Sequence, residues 1–257
     1  MYVSPGTAPD CFDSYNVGTG LTIVCVCVCV CVLCLTQRAD MAAAPLTKTI
    51  LREGAVTFIY PAFMIFNLAI LADKRANLSG IQSIVDLAKQ SRIKYGVVDG
   101  GSTANHIDYR RYGDRHYSTL SSVMELLASV EEGVSRVRQS NLSHPFVFIG
   151  EKPMMEYHAS RRPCDLTTMH GSDHTGEYHL AVRKNLDAEI KEKLAEGLSK
   201  LNESGKLTEL YDRWLNDRSE CNDEAKDSST SPPVSTSVAV VTAVFLSVAS
   251  VILSRGE

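Results

Sequence analysis

The chain has 257 residues, a formal net charge of −4 and 44% hydrophobic residues. This length allows one or two domains. The mildly acidic net charge excludes the class of strongly basic proteins that bind the phosphates of nucleic acids. Three apolar stretches, residues 21–35, 55–72 and 238–253, lie outside a polar middle, residues 73–228. This middle is long enough for one packed α/β unit.

The N-terminal 20 residues are polar and carry no basic residue, unlike the start of a secretory signal peptide. Residues 21–35 then read LTIVCVCVCVCVLCL. The Val-Cys alternation does not match the spacing of metal ligands, so no metal site is predicted. One explanation is read-through of a GT dinucleotide repeat, in which GTG encodes Val and TGT encodes Cys. The other is a translated apolar segment that enters a membrane.

Residues 36–54 form a connector with a slight basic excess, which indicates the cytoplasmic side of a membrane. Residues 55–72, AVTFIYPAFMIFNLAILA, are then predicted to be an outward-going transmembrane helix kinked at Pro61. Asn67 is the only strongly polar residue in this stretch. Asn67 is interpreted as a group that forms hydrogen bonds between helices. The alternative interpretation is that it forms part of a transport pathway.

The polar middle contains a turn suited to an anion. A strand predicted over residues 93–98 is followed by DGGST and then by a helix. Two glycines free the backbone, while Ser102 and Thr103 present hydroxyl and N–H groups at a helix N-terminus, where the dipole favours negative charge. The alternative is that Ser102 only caps its helix.

An acidic residue occupies a comparable position later in the chain. Residues 146–149 predict a strand buried on both faces, and Pro153 fits the first turn of a following helix. Glu151 therefore lies between a strand's carboxyl end and a helix, where α/β domains place ligand-binding groups. The alternative is that Glu151 only stabilises the positive end of its own helix.

The remaining pattern completes an α/β domain with a tether. Predicted elements are helices over residues 83–90, 120–128, 129–140, 187–204 and 207–215, and a strand over 178–182. Residues 222–237 are rich in Ser, Thr, Pro and acids, which predicts a flexible linker. Residues 238–253 are predicted to be a transmembrane helix before a cytoplasmic tail, residues 254–257. A GPI-anchor signal is the alternative interpretation of this end.

Cysteines and sequons indicate an extracellular domain. Cys164 and Cys221 are the only two of the eight cysteines in the polar middle, which makes them candidates for one disulfide. Asn-x-Ser sequons occur at Asn77, Asn141 and Asn202. Since Asn77 would lie beside the predicted membrane helix, glycosylation is predicted at Asn141 and Asn202 only. Histidines lack triad or ligand spacing, so neither an enzyme nor a cofactor is predicted.

These residues together resemble the second half of an ionotropic glutamate receptor, closest to the AMPA and kainate classes. The resemblance runs from about residue 67 to Cys221. Its motifs occur in the family's order: Asn67-Leu-Ala69, Asp86-Leu-Ala-Lys-Gln90, Tyr95-Gly96, Gly101-Ser-Thr103, Glu132 to Arg138, Arg162-Pro-Cys-Asp165, Lys200-Leu-Asn-Glu203 and Glu220-Cys221.

The resemblance implies an α/β fold, one lobe of a type II periplasmic-binding-protein-like clamshell spanning residues 73–221 between flanking transmembrane helices. It implies a multi-pass plasma-membrane subunit of a ligand-gated cation channel, with residues 73–237 extracellular. The implied partners are L-glutamate or a related acidic amino acid, other receptor subunits in a tetramer, and the lipid bilayer, with no nucleic acid.

The resemblance also implies a set of site residues. Ser102 and Thr103 would hold the side-chain carboxylate of glutamate, and Glu151 would pair with its α-amino group. Met154 would line the same cleft. Cys164 and Cys221 would form the disulfide of the family.

Departures from the family pattern limit the expected activity. The first ligand-binding segment, with its carboxylate-clamping arginine, and the pore loop are interpreted as missing. The family's paired aromatics after Ser-Thr are replaced by His106 and Ile107. We therefore expect a truncated receptor whose residues 73–221 bind glutamate very weakly or not at all. A non-conducting modulatory or decoy partner and a non-functional gene fragment are the alternatives.

Overall fold

The computed structural model describes residues 14–17, 21–24 and 40–221. These residues belong to two compact units. Unit 1 takes the described residues up to Met64 together with Glu177–Leu210, and unit 2 takes Ile65–Gly176 together with the described residues from Tyr211 onward. The predicted lobe, residues 73–221, thus takes in most of unit 2 and also residues 177–210 of unit 1. Its bounds stay a prediction.

The elements have the following bounds. The strands are β1 (Ser14–Val17), β2 (Leu21–Val24), β3 (Met41–Thr47), β4 (Val56–Asp73), β5 (Lys94–Val98), β6 (Glu125–Leu127), β7 (Phe146–Glu151) and β8 (Leu166–Arg183). The helices are α1 (Ile50–Glu53), α2 (Ile84–Leu87), α3 (Ser102–Arg110), α4 (Arg115–Val123), α5 (Val130–Arg138), α6 (Lys152–Ala159), α7 (Ala188–Glu203) and α8 (Lys206–Tyr211), with a π-helical turn at Asp212–Asn216.

Unit 2 is built on a mixed sheet with strand order β8, β4, β7, β5, β6. β5 runs parallel to both β6 and β7, with Tyr95 opposite Val147. β4 runs antiparallel to β7, with Leu71 opposite Phe148. Because β5 and β7 are parallel neighbours, their carboxyl ends lie at the same edge of the sheet. Helices α3 and α6 both begin at that edge.

The core of unit 2 follows the two-residue period of its central strands. Val147 and Ile149 of β7 pack in one apolar cluster with Ile107 of α3 and Leu120 of α4. Phe146 and Phe148 pack in a second cluster, which also holds Val134, Val137, Met155 and Leu166. Alternate side chains of a strand point to opposite faces, so β7 is buried on both faces, as its apolar run predicts.

The prediction of a transmembrane helix over residues 55–72 is wrong, since these residues form most of strand β4. An apolar run rich in aromatic and β-branched residues fits a buried strand as well as a helix, and its composition alone does not distinguish them. Pairing with β7 decides the outcome, because Leu68, Ala69, Ile70 and Leu71 become fully buried in the sheet.

None of the helices among the described residues is long and apolar enough to cross a membrane. Within the apolar stretch 21–35, residues 21–24 form strand β2 instead of a helix, and the rest of that stretch lies outside the described residues. The predicted linker, residues 222–237, and the predicted C-terminal helix, residues 238–253, also lie outside them.

Unit 1 pairs β3 antiparallel to β8, with Thr47 opposite Tyr178. β2 lies parallel to β3 and forms an antiparallel pair with β1. Helix α7 buries Leu194, Leu198 and Leu201, which is the apolar face that the heptad-like spacing predicts. The predicted connector, residues 36–54, therefore contains a strand and a short helix of a folded unit.

Candidate ligand-binding site

Two predicted site residues of unit 2 are in direct contact. Ser102 is the first residue of α3, and Glu151 is both the last residue of β7 and the N-cap of α6. The Ser102 hydroxyl donates a hydrogen bond to Oε1 of Glu151. The structure thus brings a helix N-terminus and a carboxylate together where two parallel strands end.

The turn before α3 depends on two glycines. Gly100 has φ +65°, a conformation that side chains disfavour. A Cβ on Gly101 would lie 3.0 Å from the carbonyl oxygen of Val98, which already accepts the Gly101 N–H at 3.1 Å. The glycines therefore allow the strand to turn tightly into the helix.

Helix α3 begins without a side-chain cap. Its N-cap is Gly101, which has no side chain that could bond to the first turn. The alternative that Ser102 serves as the N-cap is therefore wrong. The first backbone N–H groups of an α-helix have no partner within the helix. Together with the positive end of the helix dipole, they suit a carboxylate.

Thr103 and Ser102 differ in exposure. Thr103 is only 7% exposed, and it shares the core side of α3 with Ala104 and Ile107, both buried. Ser102 is half-buried. Of the two hydroxyl residues, Ser102 is thus the one whose side chain is observed in contact with a charged group.

Met154 and Met155 follow Glu151 in α6 and differ in how deeply they are buried. Met155 is 1% exposed and belongs to the apolar core, and a Cβ on Gly150 would lie 2.7 Å from its Cε. Met154, the predicted lining residue, is partly buried against the same cluster. Met155 therefore supports the backbone next to Glu151, and the role of Met154 at a ligand stays a prediction.

The C-terminal segment of unit 2 is fastened to the chain after α6. Cys164 and Cys221 form a disulfide with a Cα–Cα distance of 5.5 Å. Glu220 accepts the Arg162 backbone N–H at 3.0 Å and donates its own N–H to the Ser160 carbonyl oxygen at 2.8 Å. The segment that follows the π-helical turn is therefore held to the end of the helix that Glu151 caps.

Unit 1 carries an arginine that is not among the predicted site residues. Arg52 lies in α1, and its Nη1 donates to the Thr47 carbonyl oxygen at 2.8 Å. Thr49 caps this helix by accepting the Arg52 backbone N–H at 3.3 Å. A threonine N-cap ahead of an apolar residue is a helix-start signal. Thr49 followed by Ile50 is therefore the sequence pattern that could have predicted α1.

All three sequon asparagines are exposed. Asn141 lies in the turn between α5 and β7, whereas Asn202 lies in the last turn of α7. Asn77 follows β4, and its Oδ1 accepts hydrogen bonds from the Ser79 N–H and hydroxyl at 3.0 and 2.6 Å. Because β4 is a strand, the reason for leaving Asn77 out no longer holds. Glycosylation at Asn141 and Asn202 stays a prediction.

A mixed α/β unit with helix N-termini and a carboxylate at one sheet edge is typical of proteins that bind small solutes. The model of the bacterial extracellular solute-binding proteins, family 3, matches residues 33–217. Because this match covers more than half of the chain, the chain belongs to that family. It begins well before residue 67, where the resemblance was taken to start.

Named relatives agree with this assignment. Glutamate receptor 3 of Homo sapiens is 33% identical over 168 residues, and that of Mus musculus is 35% identical over 168 residues. Each alignment covers 63% of this chain and 18% of the relative, so the chain spans under a fifth of their length. The structure titled Drosophila muscle GluRIIB complex with glutamate is 27% identical with a TM-score of 0.63, covering 79% of this chain and 77% of that one.

These matches confirm the resemblance to the ligand-binding region of ionotropic glutamate receptors. They also confirm the α/β fold of the periplasmic-binding-protein type.

Proposed function

We propose that this chain binds L-glutamate or a closely related acidic amino acid. The observation that carries the proposal is the contact of Ser102 with Glu151 at the edge where β5 and β7 end. An acidic amino acid needs hydrogen-bond donors for its carboxylates and an anion for its ammonium group. The start of α3 supplies the first, and the Glu151 carboxylate supplies the second.

In this proposal, glutamate replaces the bond between the two side chains. Ser102 and the first N–H groups of α3, including that of Thr103, donate to the side-chain carboxylate. Glu151 accepts from the α-ammonium group, and Met154 contacts the ligand's methylene groups. Hydrogen bonds to charged groups contribute roughly 1.5–3 kcal/mol each, so these few groups are enough to select an acidic amino acid.

For unit 1, taken by itself, we propose that Arg52 is a further carboxylate-binding residue. A guanidinium presents donors in a planar fork that matches a carboxylate. One Nη of Arg52 is held by the Thr47 carbonyl oxygen, which orients the rest of the group. Arg52→Lys keeps the charge and loses the fork, so it should weaken the binding of a carboxylate to unit 1 by about tenfold or more.

The test of ligand binding is calorimetry on the full chain with L-glutamate, L-glutamine and L-alanine. We expect heat of binding for glutamate and much weaker binding for both neutral analogues. Glu151→Gln removes the charge at almost unchanged shape, so it should abolish glutamate binding. Equal affinity for glutamine and glutamate would contradict the proposed carboxylate site, and binding by Glu151→Gln at unchanged affinity would contradict the role of Glu151.

The proposed biological role is that of a ligand-binding subunit of a glutamate-gated cation channel, with the described residues 40–221, which include Arg52, extracellular. The named receptor relatives and the Cys164–Cys221 bond support this role. Co-expression with a complete glutamate receptor tests it, since new or altered glutamate-evoked current is expected. Altered surface assembly of the receptor without a change in current properties would instead support a modulatory partner.

A further inference from the structure

One face of α3 carries three polar side chains, each in contact with a different element of unit 2. Ser102, His106 and Arg110 are spaced four residues apart, so they lie one above another along the helix. Ser102 contacts Glu151 at the end of β7. His106 stacks on His174 of β8 with ring centroids 3.6 Å apart and an interplanar angle of 17°. The Cζ of Arg110 lies 5.2 Å from the ring centroid of Tyr117 in α4.

The His106 ring is held by aromatic packing in the described part of the chain. Its Nε2 is buried and has no hydrogen-bond partner there. Besides the face of His174, the ring meets the edge of Tyr117 at 5.8 Å and 86°. His174 is itself fixed by its backbone N–H, which donates to the Ser172 hydroxyl at 3.3 Å. The two imidazoles therefore act as an aromatic contact between α3 and β8.

This contact suits neutral rings only. Burial, His174 and Arg110 together lower the pKa of His106 to about 4, in that order of importance. Burial and then Arg110 lower the pKa of His174. Among the side chains that the structure describes, the charged and titratable groups recorded beside the pair are Arg110 from α3 and Tyr117 from α4. A proton on either ring would place a cation beside the other ring and the Arg110 guanidinium, without a facing carboxylate among these groups.

We propose that the His106–His174 stack is a positioning contact that fixes the rotation of α3, so that Ser102 faces Glu151, and that acidification releases it. His106 lies one turn after Ser102 on the same side of the helix. Rotation of α3 away from β8 therefore moves the Ser102 hydroxyl away from the Glu151 carboxylate. The positioning role concerns the protein without ligand, whereas its effect on glutamate affinity rests on the proposed function.

The direction of the pH effect follows from the neutral pair. The ordered start of α3 is present while both rings are neutral. An unperturbed histidine has a pKa near 6.5, whereas His106 in the fold has a pKa of about 4. Protection of the first turn of α3 should therefore be retained at neutral pH and lost as the pH falls toward that folded value.

Hydrogen–deuterium exchange of the full chain without ligand tests the proposal directly. The amides of residues 105–108, the first in α3 that have an acceptor within the helix, are followed near pH 7 and near pH 4.5 in the native chain, His106→Phe and His106→Ala. The rates are corrected for intrinsic exchange. His106→Phe keeps an aromatic ring that cannot be protonated. His116→Phe is the matched control, because His116 is exposed on α4.

In the native chain and in His116→Phe, protection of residues 105–108 should fall by about fivefold or more at the lower pH. His106→Phe should lose less protection at the lower pH than the native chain, because only His174 can still be protonated there. His106→Ala should lack the protection already near pH 7. Equal pH sensitivity of His106→Phe and the native chain would overturn the proposal. So would unchanged protection in His106→Ala.

A parallel titration with L-glutamate separates this proposal from the proposed function. Glutamate affinity should fall more steeply with acidification in the native chain than in His106→Phe. Protons on glutamate and on Glu151 affect both proteins alike, so the difference reports on the stack. Absence of glutamate binding together with the expected exchange pattern would refute the proposed function and support the positioning role. Binding with parallel pH profiles for both proteins would refute the role of the stack in affinity.

Discussion

Ser102 and Glu151 are 49 residues apart in sequence, and a hydrogen bond joins the Ser102 hydroxyl to a Glu151 carboxylate oxygen. The bond exists because β5 and β7 are adjacent and parallel, with Gly96 opposite Phe148. β5 leads into α3 through a short turn, and β7 leads directly into α6, so the start of α3 and the cap of α6 face each other. The proposed site is thus a consequence of strand order, and neither loop alone would form it.

Removing the Ser102 hydroxyl should weaken binding without unfolding the protein. Ser102→Ala loses one donor to a charged group, worth roughly 1.5–3 kcal/mol, so glutamate affinity should fall about 10- to 100-fold. Thermal stability should change little, because the side chain is only half-buried. Calorimetry and a melting curve give the two quantities.

Ser122→Ala is the matched control for that change. Ser122 is an exposed residue of α4 whose hydroxyl donates to the Thr119 carbonyl oxygen at 2.8 Å. Its removal should leave glutamate affinity unchanged. An equal loss of affinity in both variants would show that the effect of Ser102→Ala is not specific to the site.

Gly133 should be intolerant of even one added carbon. It lies in α5, where a Cβ would stand 2.7 Å from the ring of Phe148 in β7. Overpacking of this kind destabilises a core by about 1–3 kcal/mol, so Gly133→Ala should lower the urea midpoint of unfolding. Gly113→Ala is the control, since nothing lies within 4 Å of a Cβ there. A midpoint for Gly133→Ala equal to that of Gly113→Ala would contradict the close packing.

The sequence predicted the elements whose patterns have one interpretation. The apolar run of β7, the capped helix α5 and the amphipathic helix α7 all lie within a few residues of their predicted positions. Each is specified by local spacing, caps or burial. The site residues Ser102 and Glu151 were identified for the same reason, because a strand followed by a turn and a helix N-terminus is a local pattern.

Long-range pairing explains the main errors. Residues 55–72 carry the composition of a membrane helix, and only their pairing with β7 shows that they form β4. Because these residues were predicted to be a membrane helix, unit 1, to which β3 and Arg52 belong, was not predicted. The stack of His106 on His174 joins residues far apart in sequence, so no local sequence motif predicts it.

The disulfide should contribute strongly to the stability of unit 2. Cys164 and Cys221 are 57 residues apart. A loop of this size corresponds to about 4 kcal/mol in the chain-entropy account. The double variant Cys164→Ser with Cys221→Ser should therefore unfold at a clearly lower urea concentration than the oxidised protein.

Reduction provides the control for that experiment. A reducing agent should bring the native chain to the midpoint of the double variant and leave the variant itself unchanged. A native midpoint that does not respond to reduction would contradict a stabilising role of this bond.

His158 should make the fold sensitive to acid. Its Nε2 is buried and has no hydrogen-bond partner within the described residues. Burial is the main cause that lowers its pKa to about 4, with Arg138 and Arg161 acting in the same direction and Glu131 opposing them. The unfolded chain therefore binds the proton more tightly, with a pKa near 6.5. The stabilisation from the neutral ring is complete above that value and is lost as the pH falls toward about 4.

Urea unfolding across this range should show a smaller loss of stability for His158→Gln than for the native chain, whereas His144→Gln, at an exposed position, should follow the native chain. A parallel loss in His158→Gln and the native chain would exclude His158 as a source of the acid sensitivity.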